Sequence, residues 1–133
     1  MSDKCSVLVA DENRDAADAH VVLLRALGHR ALAAYGGVQA HETCLDFHPD
    51  LAILDVQVPY KDGRLAAVRM RAHQFPPKII ATLTRRPHDQ EPRRSLAGVF
   101  DGHLSKPCEM QELDDLLERG QRACDEAEAP RRH

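Results

Sequence analysis

Two segments of this sequence are almost uninterruptedly apolar, and both end on an acidic residue. The segment at 51–54 (Leu-Ala-Ile-Leu) runs into Asp55, and the segment at 5–10 (Cys-Ser-Val-Leu-Val-Ala) runs into Asp11 and Glu12. Strands that lack polar alternation are buried on both faces, as in a parallel sheet that is covered by helices on both sides. In such sheets ligands bind at the carboxyl ends of the strands, so these acids stand where a reactive group is placed.

The rest of the chain alternates between strand and helix patterns. Further strands are predicted at 30–34, 78–83 and 99–104, and helices are predicted after each of the five strands. Such alternation in one domain's length of chain predicts an α/β fold with a doubly wound, five-stranded parallel sheet. Because the carboxyl ends of parallel strands share one edge, residues from several loops meet there.

Local signals predict where the helices begin, end and face the core. Asn13 is predicted to cap the first helix, whose apolar stripe is Ala17, Val21 and Leu24 and which stops at Gly28. A second helix is predicted at 38–47.

The later helices carry weaker signals. The third is predicted to be capped by Asp62-Gly63 and terminated by Pro76-Pro77, with Leu65, Val68 and Met70 as its apolar positions. A short, weakly apolar helix at 92–97 is expected to be the most mobile element. The last helix presents the inner face Met110, Leu113, Leu116 and Leu117.

Length and charge limit the organisation of the protein. The 133 residues suit one domain, predicted at 1–121, followed by a charged, frayed tail at 122–133. The net charge of −3 and the scattered cationic residues do not favour nucleic-acid binding. There is no spanning apolar run and no signal-peptide pattern at the start, so we expect a cytoplasmic protein without membrane attachment.

Cysteine and histidine spacings give no metal or redox motif. Buried or inert thiols are expected for the four cysteines, which are far apart: Cys5, Cys44, Cys108 and Cys124. The eight histidines lack H-x-x-x-H or comparable ligand spacing, so surface or packing roles are expected for nearly all of them.

Five polar residues are predicted to meet at the strand exits: Asp11, Glu12, Asp55, Thr84 and Lys106. Clustered carboxylates repel one another, and hard oxygen ligands favour Mg²⁺ or Mn²⁺. With such an ion, Asp55 is placed to attack a phosphoryl group, while Thr84 and Lys106 contact the product phosphate. The predicted chemistry is therefore phosphorylation of an aspartate.

These residues resemble the receiver domains of two-component response regulators, including the chemotaxis-regulator type. The resemblance rests on four motifs in order across about residues 5 to 120: Val7 to Asn13, Leu54-Asp55-Val56 with Pro59 and Asp62-Gly63, Thr84, and Phe100 to Pro107. It implies a flavodoxin-like sheet with the strand order 2-1-3-4-5.

The resemblance also implies roles for individual residues. Asp55 would accept phosphate from a histidine kinase or a phosphotransfer protein, and Asp11, Glu12, Asp55 and the main-chain carbonyl of Gln57 would hold Mg²⁺. Thr84 and Lys106 would bind the phosphoryl oxygens, and their movement after phosphorylation would reshape the face formed by the fourth helix, fifth strand and fifth helix, which a downstream protein would bind. Self-phosphorylation and autodephosphorylation at Asp55 are expected rather than classical enzyme turnover, in a monomer or weak dimer.

Two positions depart from the receiver pattern. Arg85 follows the switch hydroxyl, where a small residue is usual, and its guanidinium can pair with the phosphoryl group or hinder access to Asp55. His103 occupies the aromatic switch position and titrates near neutral pH. Gln57 and Arg86 stand at positions that tune the lifetime of the phosphate in receivers.

Three functions remain open on these residues. The favoured one is a phosphoacceptor signalling domain, and the alternative is a degenerate receiver that docks to a protein independently of phosphorylation. A Mg²⁺-dependent phosphatase-like hydrolase is disfavoured, because Gln57 stands where that chemistry wants a general-acid aspartate. Taken singly, each site residue also has a structural role: turn former for Asp55, helix-dipole partner for Asp11, surface lysine for Lys106.

Overall fold

The computed structural model describes residues 5–55, 60–84, 101–105 and 110–128, in which strands and helices alternate. The strands are β1 (Ser6–Ala10), β2 (Arg30–Ala34), β3 (Leu51–Asp55), β4 (Ile79–Thr84) and β5 (Gly102–Ser105). The helices are α1 (Arg14–Ala26), α2 (Gly37–Phe47), α3 (Tyr60–Arg71) and a C-terminal helix (Met110–Glu128). The predicted helix at 92–97 lies outside the described residues.

Within the described residues, all strand pairs are parallel and the sheet has the order β2-β1-β3-β4-β5. Ala10 at the end of β1 is level with Ala34 in β2 and with Leu54 in β3. The order confirms the predicted doubly wound, flavodoxin-like α/β fold. It also places β1 and β3, the two strands that end on acids, side by side in the middle of the sheet.

Side chains from the strands pack alternately into two cores, one on each face of the sheet. Val7 and Val9 pack with buried residues of α1 and the C-terminal helix, whereas Leu8 and Ala10 pack with those of α2 and α3. This follows from the two-residue period of a strand, which sends successive side chains to opposite faces. Since helices cover both faces, every residue of β1 is buried, which explains why its sequence shows no polar alternation.

The ends of α1 follow the predicted signals. The side chain of Asn13 accepts a hydrogen bond from the main-chain N–H of Ala16 at 3.1 Å, which confirms it as the N-cap. The predicted stripe Ala17, Val21 and Leu24 is buried. Gly28, just beyond the helix, has φ 96°, a left-handed conformation that glycine adopts without strain.

The predicted start, end and inner face of α3 were wrong. The helix contains Asp62 and Gly63 rather than being capped by them, and it ends at Arg71, well before Pro76. It closes with a tighter turn, in which the N–H of His73 donates to the carbonyl of Met70 at 3.2 Å. Met70 is buried as predicted, but Val68 is 45% exposed, because Ala66 and Ala67 complete the buried side instead. The side chain of Leu65 lies outside the described residues.

The other strand and helix boundaries differ in smaller ways. Thr84 is the last residue of β4 rather than the first residue after it, and Asp101 precedes β5 instead of lying within it. In the C-terminal helix Leu113, Leu116 and Leu117 are buried as predicted, but Met110 is 46% exposed. The helix continues to Glu128, so residues 122–128 are helical where a charged tail was predicted. No helix in the described ranges is long and apolar enough to cross a membrane.

Candidate functional site

The carboxyl ends of three adjacent strands bring predicted site residues to one edge of the sheet. Ala10 is level with Leu54, so the next residues, Asp11 and Asp55, are neighbours across the β1–β3 pair. Asp55 is in turn level with Leu83, which places Thr84 one residue further along at the end of β4. We call this the strand-exit edge, defined by Asp11, Asp55 and Thr84.

Asp11 is an acid held rigidly within this edge. Its main-chain N–H donates to the carbonyl of Ala34 at 3.0 Å and so extends the ladder between β1 and β2. Its carboxylate is buried, and Oδ1 accepts a hydrogen bond from the main-chain N–H of Asn13 at 2.9 Å. A buried carboxylate is expensive to desolvate, and this one is kept at the strand end by the turn that leads into α1.

Glu12 and the start of α1 complete the described turn. The side chain of Glu12 is exposed, unlike that of its neighbour Asp11. Asn13 caps α1, so the positive end of the helix dipole lies beside the acids that precede it. This arrangement favours negative charge at the strand-exit edge.

For three predicted residues the structure gives a strand position. Asp55 and Thr84 are the last residues of β3 and β4, and His103 lies in β5, level with Thr82. Ser105 ends β5 and is level with Thr84. Gln57, Arg85, Arg86 and Lys106 lie outside the described residues, so their predicted roles remain predictions, as do the side-chain roles of Asp55, Thr84 and His103.

Asp101, which was predicted only as part of a strand, anchors β5. The Asp101 carboxylate accepts hydrogen bonds from the main-chain N–H of Ile80 at 2.8 Å and from Arg71 at 2.6 Å. The Asp101 carbonyl accepts another from Arg119 of the C-terminal helix at 2.8 Å. An acid directly before a glycine is the only local signal of this role. The network fixes the strand that carries His103 and Ser105.

The strand-exit edge suits an oxygen-liganded cation and an electrophile. Carboxylates are the hard ligands that Mg²⁺ prefers, and Asp11 and Asp55 are the acids that the sheet register brings to the same level. A carboxylate beside such an ion can act as a nucleophile toward phosphorus.

Comparison with known proteins agrees with this geometry. Residues 7–118 match the family described as the response regulator receiver domain. The chain is 31% identical over 116 residues to the sensor protein GacS of Pseudomonas syringae pv. syringae, which covers 84% of this chain and 13% of that protein. It is 28% identical over 109 residues to the phosphate regulon transcriptional regulatory protein PhoB of Pseudomonas aeruginosa, covering 81% of this chain and 48% of that one. The chain thus spans about half or less of these relatives.

Solved structures show the same fold. The signal receiver domain of a modulated diguanylate cyclase from Desulfovibrio desulfuricans G20 has a TM-score of 0.75 at 26% identity, covering 94% of this chain and 99% of that one. The receiver domain of a sensor histidine kinase from Pseudomonas aeruginosa PAO1, solved with a magnesium ion in its active site cleft, has a TM-score of 0.76 at 24% identity. That similarity covers 90% of this chain and 98% of the other.

Proposed function

The chain belongs to the response regulator receiver domain family, and from that premise we propose that Asp55 accepts a phosphoryl group from a histidine kinase or a phosphotransfer protein. The observation that carries the proposal is the register between β1 and β3, which sets Asp11 and Asp55 side by side at the strand-exit edge. A structural turn former needs no second acid at the same level of the neighbouring strand. A phosphoacceptor that works with a cation does need one.

The proposed reaction is a transfer between two side chains. A carboxylate oxygen of Asp55 attacks phosphorus, the bond between phosphorus and the donor histidine nitrogen breaks, and the donor imidazole leaves with the electron pair. The product is an acyl phosphate on Asp55. Thr84 at the end of β4 and Lys106 just after β5 are the proposed contacts of the phosphoryl oxygens.

The proposed cation ligands are Asp11, Glu12, Asp55 and the main-chain carbonyl of Gln57, with Mg²⁺ or Mn²⁺ as the ion. The buried, fixed carboxylate of Asp11 is a hard oxygen donor of the kind these ions take, so the described residues fit the group. When bound, the ion would neutralise charge on the transferring oxygens. The related kinase receiver solved with magnesium supports this assignment.

We propose that the signal leaves through β5 and the surfaces beside it. Thr84 ends the strand that pairs with β5, and His103 lies within β5. A movement of Thr84 would therefore reach β5, which carries His103, across a single strand pair. From β5 it would reach the face formed by the predicted helix at 92–97, β5 and the C-terminal helix. A downstream protein would bind this face. We take residues 1–121 as the functional domain.

The test is intact mass spectrometry after incubation with acetyl phosphate, with Mg²⁺ or with EDTA. Wild-type protein should gain one phosphoryl group with Mg²⁺ and none with EDTA. Asp55→Asn should gain none, whereas the matched control Asp114→Asn, an exposed aspartate of the C-terminal helix, should behave as wild type.

The opposite result identifies the alternative function. Asp55 is not a phosphoacceptor if folded wild-type protein gains no phosphoryl group and its ¹H–¹⁵N NMR spectrum does not change when beryllofluoride is added with Mg²⁺. The chain is then a docking module that works without phosphorylation. An adduct that persists in Asp55→Asn would show that another residue is modified.

A further inference from the structure

Two histidines that are 32 residues apart in sequence meet on the side of the molecule formed by α2 and α3. The Nε2 atoms of His41, in α2, and His73, in the turn after α3, are 2.8 Å apart. Their ring centroids are 4.6 Å apart and the ring planes are inclined by 57°. Histidine spacing along the sequence indicated only surface or packing roles, so this pair is visible only in the folded chain.

The backbone holds both rings in place. His41 lies in the middle of α2, next to the fully buried Ala40. His73 lies in the turn that closes α3, where its N–H donates to the carbonyl of Met70 at 3.2 Å. Neither ring depends on a long flexible stem, so little conformational entropy is lost when both bind one ligand.

A second contact joins the same two segments. His48, the C-cap that follows α2, has a left-handed conformation with φ 50°, and its ring contacts Phe75 edge-on with centroids 5.2 Å apart. The turn that carries His73 is therefore fixed to α2 at two points.

We propose that His41 and His73 form a two-histidine site for a divalent transition-metal ion such as Zn²⁺, bound through the two Nε2 atoms. Imidazole nitrogens favour Zn²⁺, Cu²⁺ and Ni²⁺ over Mg²⁺. Among the side chains that the structure describes, no group of three or more metal-ligating residues is close enough to hold an ion. Water would complete the coordination of the His41–His73 pair.

The two nitrogens are already close to the separation that a chelate needs, and on binding each ring would also turn so that its Nε2 lone pair points at the ion. Two Zn–N bonds of about 2.0–2.1 Å at a tetrahedral angle place the nitrogens about 3.3 Å apart, roughly half an ångström more than the observed separation. In the present pair one ring donates an N–H to the other. On binding, that ring would carry its hydrogen on Nδ1 instead, so both rings stay neutral and no proton is released.

The site lies on α2 and the turn after α3 and contains none of the residues of the strand-exit edge. It therefore does not depend on phosphorylation of Asp55.

The test is a Zn²⁺ titration of the full chain from which metals have first been removed with EDTA. Excess Mg²⁺ is then present to occupy the strand-exit edge. Calorimetry should give one Zn²⁺ per chain, and NMR of ¹⁵N-labelled imidazoles should show the largest changes at Nε2 of His41 and His73. His41→Gln and His73→Gln should each weaken binding about tenfold or more. The control His20→Gln, which removes a histidine of α1, should not.

Three results would overturn the site. The first is Zn²⁺ affinity unchanged in both His41→Gln and His73→Gln. The second is Zn²⁺ binding that is lost in Asp11→Asn but kept in the histidine variants, which would place Zn²⁺ at the strand-exit edge. The third is an unchanged Nε2 signal of His41 or His73 in saturated wild-type protein, a measurement that does not depend on whether any variant folds. None of these results bears on the phosphorylation of Asp55.

Discussion

Replacement of Asp101 tests how β5 is attached to the sheet. The Asp101 carboxylate does two things: it accepts the main-chain N–H of Ile80 at 2.8 Å, and it pairs with Arg71 at 2.6 Å. Ile80 is fully buried, whereas the side chains of Asp101 and Arg71 are 32% and 35% exposed. The two interactions therefore differ in solvent access, and they should differ in energy.

The magnitudes separate two substitutions at this position. Asp101→Ala leaves the buried N–H of Ile80 without its acceptor, at a cost of about 1–3 kcal/mol in the free energy of unfolding. Asp101→Asn keeps an oxygen that can accept this N–H and loses only the ionic part of the pair with Arg71. An ion pair whose side chains are about one-third exposed contributes about 0–1 kcal/mol. We therefore expect the alanine variant to be clearly less stable than the asparagine variant.

The assay is equilibrium unfolding in urea, followed by circular dichroism, with Asp114→Ala as the control. Asp114 is an exposed carboxylate of the C-terminal helix, and its loss should change stability by no more than about 0.5 kcal/mol. Equal destabilisation by Asp101→Asn and Asp101→Ala would contradict this expectation, because the charge on Asp101 and not its role as an acceptor would then hold β5.

Three further predictions concern single groups. Gly120→Ala should raise the free energy of unfolding by about 0.5–1 kcal/mol in urea titrations, because alanine favours a helix more than glycine does. The added methyl group would lie 3.5 Å from its nearest neighbour, an ordinary contact, so it should cause no clash. A loss of stability would contradict this. Burial raises the pKa of the Cys44 thiol, so mass-mapped alkylation at pH 8 should be slow at Cys44 in native protein and fast in urea; equal rates would contradict it. Burial, His41 and His48 lower the pKa of His73 from 6.5, so the imidazole of His73 binds its proton more tightly in the unfolded chain than in the folded chain. In EDTA-treated protein the free energy of unfolding should therefore fall as the pH drops through 6.5. A His73 pKa above 6.5, measured by NMR titration, would contradict this.

Elements with burial on both faces could be predicted from the sequence. β2 begins and ends at the predicted residues, and β1 and β3 follow from apolar runs that are typical of strands covered on both faces. Asn13 was predictable because capping is local chemistry between a side chain and the next turn of the chain. The adjacency of Asp11 and Asp55 followed in turn, because parallel strands end at a common edge.

What the sequence could not show depends on contacts between distant segments. Met110 fits the helical spacing of the buried leucines but lies at the start of the C-terminal helix, where its side chain remains exposed. The sequence predicts Asp101 as part of a strand. In the structure its carboxylate instead accepts the hydrogen bond of the Ile80 main-chain N–H, in place of a backbone carbonyl. His41 and His73 are brought together by the packing of α2 against α3. Their separation in the sequence matches no metal-binding motif, so the sequence alone does not predict the contact.

We propose above that the strand-exit edge is a Mg²⁺-dependent phosphoacceptor site. The most direct measurement is a ¹H–¹⁵N NMR titration of the full chain with Mg²⁺, followed by beryllofluoride as a mimic of the phosphoryl group. For such a site we expect the largest amide shifts at Asp11, Asp55 and Thr84, and little change at Asp50 and Lys78 beside the amino ends of the strands. Shifts centred on Asp50 and Lys78, or no response to beryllofluoride in the presence of Mg²⁺, would contradict it.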